Sequence, residues 1–100
     1  MVMKGVVVSE VRIAEFCRRH GVSRLSLFGS ILRDDFGPAS DADMLVEFLP
    51  GRTPGMFAYA GMMLELSEII GRRVDVRTPE DLSRYFRNSV IRGARLLRAA

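Results

Sequence analysis

A single cysteine, Cys17, leaves the chain without an intrachain disulfide or a Cys-based zinc site, which fits a reducing compartment, the cytoplasm by default. No apolar run approaches the ~18 residues of a membrane span. The apolar start, Met1-Val2-Met3-Lys4-Gly5-Val6-Val7-Val8, is short and lacks the cleavage site of a signal peptide. Histidine is as scarce as cysteine. His20 has no second histidine and no evident nucleophile beside it, and it reads as a helix-end residue near a C-terminal dipole. With 4 prolines and 9 glycines the chain is neither collagen-like nor low-complexity, and it shows no internal repeat or linker. One domain over residues 1–100 is therefore expected, with room for one compact core.

What is present is 48% apolar and 27% charged, with a net charge of +3. Residues 1–50 hold 6 basic and 7 acidic side chains, residues 51–100 hold 9 and 5, and lysine accounts for one of the 15 basic residues. The balance hints at a phosphate-bearing partner.

Ser9 can cap a helix to His20, with Ile13, Phe16, Cys17 and His20 on one face and Gly21 at its end. Arg24–Phe28 alternates as a strand and stops at Gly29-Ser30. A helical turn over Ile31–Asp35 and a loop over Phe36–Ser40 follow, then a strand over Asp43–Leu49 that is apolar on both faces and so central. Thr53 and Pro54 predict a helix start, with Met62, Met63, Leu66, Ile69 and Ile70 as its stripe and Gly71 as its stop. Arg73–Arg77 reads as a short strand. Thr78-Pro79-Glu80-Asp81 starts a last helix with Leu82, Phe86, Val90 and Leu97 on one arc and Arg84, Arg87, Arg92, Arg95 and Arg98 on the other. The fold class is α/β (α+β): a small mixed β-sheet with helices packed against it.

The chemistry concentrates in Leu27-Phe28-Gly29-Ser30, a ten-residue loop, and Asp41-Ala42-Asp43. A Gly-Ser bend after a strand brings backbone N–H groups and a hydroxyl against a phosphate, and a side chain at Gly29 would obstruct the approach. Asp41 and Asp43, two apart at a strand start, fall on one face. Two carboxylates aimed at one spot repel unless a cation separates them, and oxygen ligands suit Mg²⁺. Asp75, between two valines in a short strand, is costly unless paired.

Leu27-Phe28-Gly29-Ser30-x-x-Arg33 followed by Ser40-Asp41-x-Asp43-x-Leu45-Val46-Glu47-Phe48 resembles the signature of the DNA polymerase β-type nucleotidyltransferases. The likeness is nearest to the minimal nucleotidyltransferases (MNT), antitoxin partners of HEPN-domain toxins. Arg73-Val74-Asp75-Val76-x-Thr78-Pro79-Glu80 is similar to that family's third strand and following helix. The resemblance implies that Gly29, Ser30 and Arg33 hold the nucleotide and that Asp41, Asp43 and Asp75 are catalytic and bind two Mg²⁺ ions. It further implies transfer of AMP from ATP to a hydroxyl, tyrosine by expectation, of a cognate HEPN toxin in an assembly with that toxin. Ile31 stands where many relatives carry Arg. Asp34 and Asp35 follow Arg33, so these acids must turn away for a triphosphate to bind.

Each residue also has a plainer reading. Asp41 and Asp43 can be a polar strand entry, Arg33 a surface partner of Asp34 or Asp35, and Cys17 a small core residue. Met56, Met62, Met63, Phe57 and Tyr59 read first as core and its rim, with an exposed Met-rich partner surface as the alternative. The arginine arc reads as a solvated face, with an acidic partner or RNA as the sharper option; no aromatic-interleaved basic motif argues for direct nucleic-acid binding. Two further functions stay open: a non-catalytic module that blocks a toxin by occlusion, and a small-molecule nucleotidyltransferase, whose relatives carry an added domain.

Overall fold

The computed structural model describes residues 2–99. A short hairpin, β1 (Val2–Met3) with β2 (Val6–Val7), precedes α1 (Glu10–His20), β3 (Val22–Phe28), a 3-10 turn over Gly29–Leu32 and β4 (Ala42–Phe48). Then come α2 (Met56–Ile70), β5 (Val74–Arg77), a 3-10 turn over Pro79–Asp81, α3 (Arg87–Gly93) and β6 (Arg95–Ala99). The main sheet runs β5-β4-β3-β6, with β3 antiparallel to both β4 and β6 and β4 parallel to β5. It is the small mixed sheet that the sequence leads one to expect, with β4 internal.

Ser9 caps α1 as predicted, its hydroxyl accepting from the Arg12 N–H at 3.3 Å, and Gly21 ends the helix. Ile13, Phe16 and Cys17 of α1 and Met62, Leu66, Ile69 and Ile70 of α2 are buried in one core with Leu25, Leu27, Met44, Val46, Val74 and Val76 of the sheet. Each large aliphatic or aromatic side chain removed from water there contributes about 1.5–3 kcal/mol. Because alternate residues of a strand face opposite ways, the apolar positions turned to α1 and α2 leave Asp43, in between, on the other face.

Several expectations need correction. Helix α2 starts at Met56 with Gly55 as its cap, so Thr53-Pro54 belongs to the loop before it. Met56 and Phe57 are 84% and 92% exposed and lie outside the core. The helical turn begins at Gly29, two residues before Ile31. The last helix is not continuous. Thr78 N–H bonds the Asp81 carboxylate at 3.0 Å, but that turn ends at Asp81, and α3 resumes only at Arg87. Arg95 and Arg98 are then not on a helix at all: Arg95–Ala99 is a strand along β3, with Leu27 opposite Arg95 and Leu25 opposite Arg98. Without it β3 would present an edge of unpaired backbone groups, and satisfying that edge outweighs the helical preference of Arg, Leu and Ala. Among the described residues, no helix is long and apolar enough to cross a membrane.

Candidate active site

The site forms where β3 ends and β4 and β5 begin. Antiparallel register sets Asp43 opposite Phe28, and parallel register sets it beside Asp75, so both aspartates point to the same side of the sheet. Asp41 lies one residue ahead of β4, held by a bond from Ala42 N–H to the Arg73 carbonyl at 2.9 Å.

Gly29 packs against Asp43 of this pair. Its φ is +76°, and a Cβ there would overlap Asp43 Oδ2 and stand 3.1 Å from its Cγ. Both the turn and the contact therefore require glycine. The Ser30 backbone hydrogen-bonds the Asp43 carboxylate. Arg33 bonds Asp35 at 3.2 Å, as its plainer reading has it, while its charge is also felt at Asp43. Asp34 turns out to solvent and meets Lys4 at 3.3 Å, so that acid does face away.

Burial raises the Asp43 carboxyl above the usual carboxylate range, and the charges of Asp75 and Asp41 raise it further. The Ser30 bond and Arg33 pull the other way without cancelling the rise. A raised folded-state pKa means that the native protein holds its proton longer than the unfolded chain does. Stability contributed by Asp43 is thus lost as pH rises from the ordinary value of 3.8 through the raised one. Asp43→Asn is expected to raise the melting temperature of the metal-free protein at neutral pH and to flatten the fall in stability across that window. Thermal melts of both proteins from pH 3 to 7 check this; an unchanged profile would contradict it.

The other two carboxylates have arginine neighbours that sequence inspection overlooked. Arg77 reaches Asp75 at 3.3 Å, and Arg73 Nε stands 3.9 Å from Asp41 Oδ1. Arg77 was legible, being two residues from Asp75 on the same strand face; Arg73 becomes visible only once the strands are paired. As they lie, no three His, Cys, Asp or Glu side chains among the described residues are grouped closely enough to hold a metal ion. The donor chemistry nonetheless fits a hard divalent cation: all the candidate ligands are carboxylate oxygens, and Asp43 is under like-charge pressure that a cation would relieve.

Elsewhere, Cys17 is buried and its thiol is pushed up to about 11, chiefly by burial, which makes it an inert core residue. His20 packs its ring 4.6 Å from that of Phe16 and lies 3.0 Å from Glu65 Oε1, a helix-end arrangement remote from the aspartates in the fold. Tyr59, half-buried, donates its hydroxyl to the Val76 carbonyl at 2.9 Å.

A glycine bend pressed against Asp43, with Asp75 beside it on the adjoining strand, is an arrangement that can bring a phosphorylated ligand to those acids. Residues 11–97 match the nucleotidyltransferase domain family. The chain is 32% identical over 83 residues to a Methanocaldococcus jannaschii protein named "Putative protein adenylyltransferase", covering 83% of this chain and 87% of that one. It superposes on a solved structure described as a "putative minimal nucleotidyltransferase" with a TM-score of 0.69 and 35% identity, covering 85% of each. A third likeness, of fold alone at 19% identity, is to the complex of a tri-AMPylated Shewanella oneidensis HEPN toxin with an MNT antitoxin. Its TM-score is 0.63, and it covers 91% of this chain and 70% of that one. The chain belongs to the nucleotidyltransferase domain family, among its minimal members, and is a nucleotidyltransferase.

Proposed function

We propose that residues 1–100 act as one domain that transfers AMP from ATP, with Mg²⁺, to a tyrosine hydroxyl of a cognate HEPN toxin in the cytoplasm, and so serve as its antitoxin. The observation that carries this reading is the register that sets Asp43 beside Asp75 with Gly29 against it. The adenylyltransferase name of the Methanocaldococcus relative and the AMPylated toxin of the Shewanella complex supply the acceptor class.

In this mechanism Gly29, lacking a side chain, lets the bend close on the Asp43 carboxylate, and the triphosphate tail lies along that bend. The Ser30 hydroxyl, with Arg33, binds the β- and γ-phosphates, while the Ser30 backbone stays on Asp43. Asp75 takes the proton of the acceptor hydroxyl as its oxygen attacks the α-phosphorus. The bond from that phosphorus to the bridging oxygen breaks, and pyrophosphate leaves. Asp41, Asp43 and Asp75 would hold two Mg²⁺ ions, which would supply stabilisation of the charge that develops at the reacting phosphate. Loading requires Asp41 and Asp75 to turn from Arg73 and Arg77.

That same arginine pairing favours a second reading, a binding module that silences a toxin by occlusion without chemistry. Incubating the protein with α-labelled ATP, Mg²⁺ and the product of the neighbouring gene decides between them. Label on the partner polypeptide is the expected result; neutralisation of the partner with no label anywhere would establish occlusion.

A further inference from the structure

We infer that Arg72, a residue outside the family motif, is a positioning residue for the Asp41–Asp43 pair: it clamps the loop that delivers Asp41 to the head of β4. The inference rests on the proposal that these two carboxylates share a cation.

Arg72 sits half-buried in the turn between α2 and β5. Its Nη2 donates to the Ser40 carbonyl at 3.0 Å and to the Gly37 carbonyl, and its Cζ lies 4.4 Å from the centroid of the Phe36 ring. One side chain thus grips the first, second and last residues of the Phe36–Ser40 loop. The loop's own turn, from Ser40 N–H to the Gly37 carbonyl at 3.0 Å and from Gly37 N–H to Ser40 Oγ at 3.0 Å, gives it shape. Arg72 fixes where that shape sits relative to β5, the strand that carries Asp75.

The next residue completes the arrangement. The Arg73 carbonyl accepts from Ala42 N–H, so the backbone is held on both sides of Asp41: at the carbonyl before it by Arg72 and at the amide after it by Arg73. Arginine suits this task because a planar guanidinium can serve two carbonyls while stacking on an aromatic ring; a lysine ammonium cannot do all three. Both carbonyls are uncharged, so the clamp does not neutralise the acids it places. Groups that orient metal ligands are worth about 10–100-fold in affinity or activity.

The test measures Mn²⁺ binding to the nucleotide-free protein by titration, and hydrogen exchange at residues 36–42, in four variants. Arg72→Ala is expected to weaken Mn²⁺ binding about tenfold or more and to speed exchange in the loop. Arg72→Lys should recover part of both, and Phe36→Leu, which keeps apolar volume but removes the ring, should fall between. Asp41→Asn is the control for the underlying assignment. If it binds Mn²⁺ like the parent protein, the carboxylate assignment fails and takes the inference with it. If Asp41→Asn loses binding but Arg72→Ala does not, the positioning role of Arg72 is overturned while the assignment stands. Unchanged exchange in Arg72→Ala likewise overturns the clamp.

Discussion

Asp41→Asn combined with Asp43→Asn is expected to lower AMP transfer at least about a thousandfold while leaving the protein folded. One preorganised charge-stabilising group at a reacting centre is already worth about 10²–10³ in rate, and this variant removes two carboxylates from a site whose proposed chemistry depends on holding cations. Asn preserves the shape of each side chain and can still accept the Ser30 bond at position 43, so no packing is lost. The like-charge pressure on Asp43 disappears, and the metal-free double variant should melt above the parent protein. Circular dichroism melts and a labelled-ATP transfer assay on the same preparations check both halves. If the variant still neutralises the toxin, occlusion is the function; if it still transfers AMP, the aspartates are not the catalytic acids.

Gly29→Ala is the second large effect, and it arises differently. The added methyl meets a strained backbone, at φ +76°, and the Asp43 carboxylate at once. The first costs about 1–2 kcal/mol. The second displaces Asp43 from its place beside Asp75. AMP transfer should fall by two orders of magnitude or more, with a lower melting temperature. Ser30→Ala, by contrast, keeps the backbone donor to Asp43 and should lose only the hydroxyl contact, about tenfold. A Gly29→Ala protein with parental activity would show that the bend does not border the reacting site.

The legible part of the molecule was the part where local chemistry and fold agree. Ser9 and Gly21 bound α1 because capping is local, and β4 announced itself by apolar residues on both faces because it is internal. The Gly29-Ser30 bend and Asp41-x-Asp43 stood out by spacing and Asp75 by its place between two valines and by the family resemblance, and strand pairing sets Asp43 beside Asp75. The C-terminal segment failed for a tertiary reason. Arg95-Leu96-Leu97-Arg98-Ala99 carries good helix formers, and nothing within it says that β3 needs a partner along its open edge. Met56 and Phe57 misled because an apolar side chain at a helix start is read as core unless the helix's orientation is known; α2 turns Met62 and Leu66 inward and leaves these two in solvent. Arg72 escaped notice because its partners are backbone carbonyls some thirty residues away, which no side-chain pattern reveals.

The central claim is that acids from two neighbouring strands converge on divalent cations beside a glycine bend. A crystal structure grown with Mn²⁺ and a non-hydrolysable ATP analogue, with anomalous data collected at the manganese edge, measures it directly. The predicted result is one or two anomalous peaks within about 2.5 Å of Asp41, Asp43 and Asp75 oxygens, the range of hard-cation–oxygen bonds, with the analogue's phosphates against Gly29 and Ser30. Bound analogue with no peak at these carboxylates, and with Asp41 and Asp75 still on Arg73 and Arg77, would contradict it.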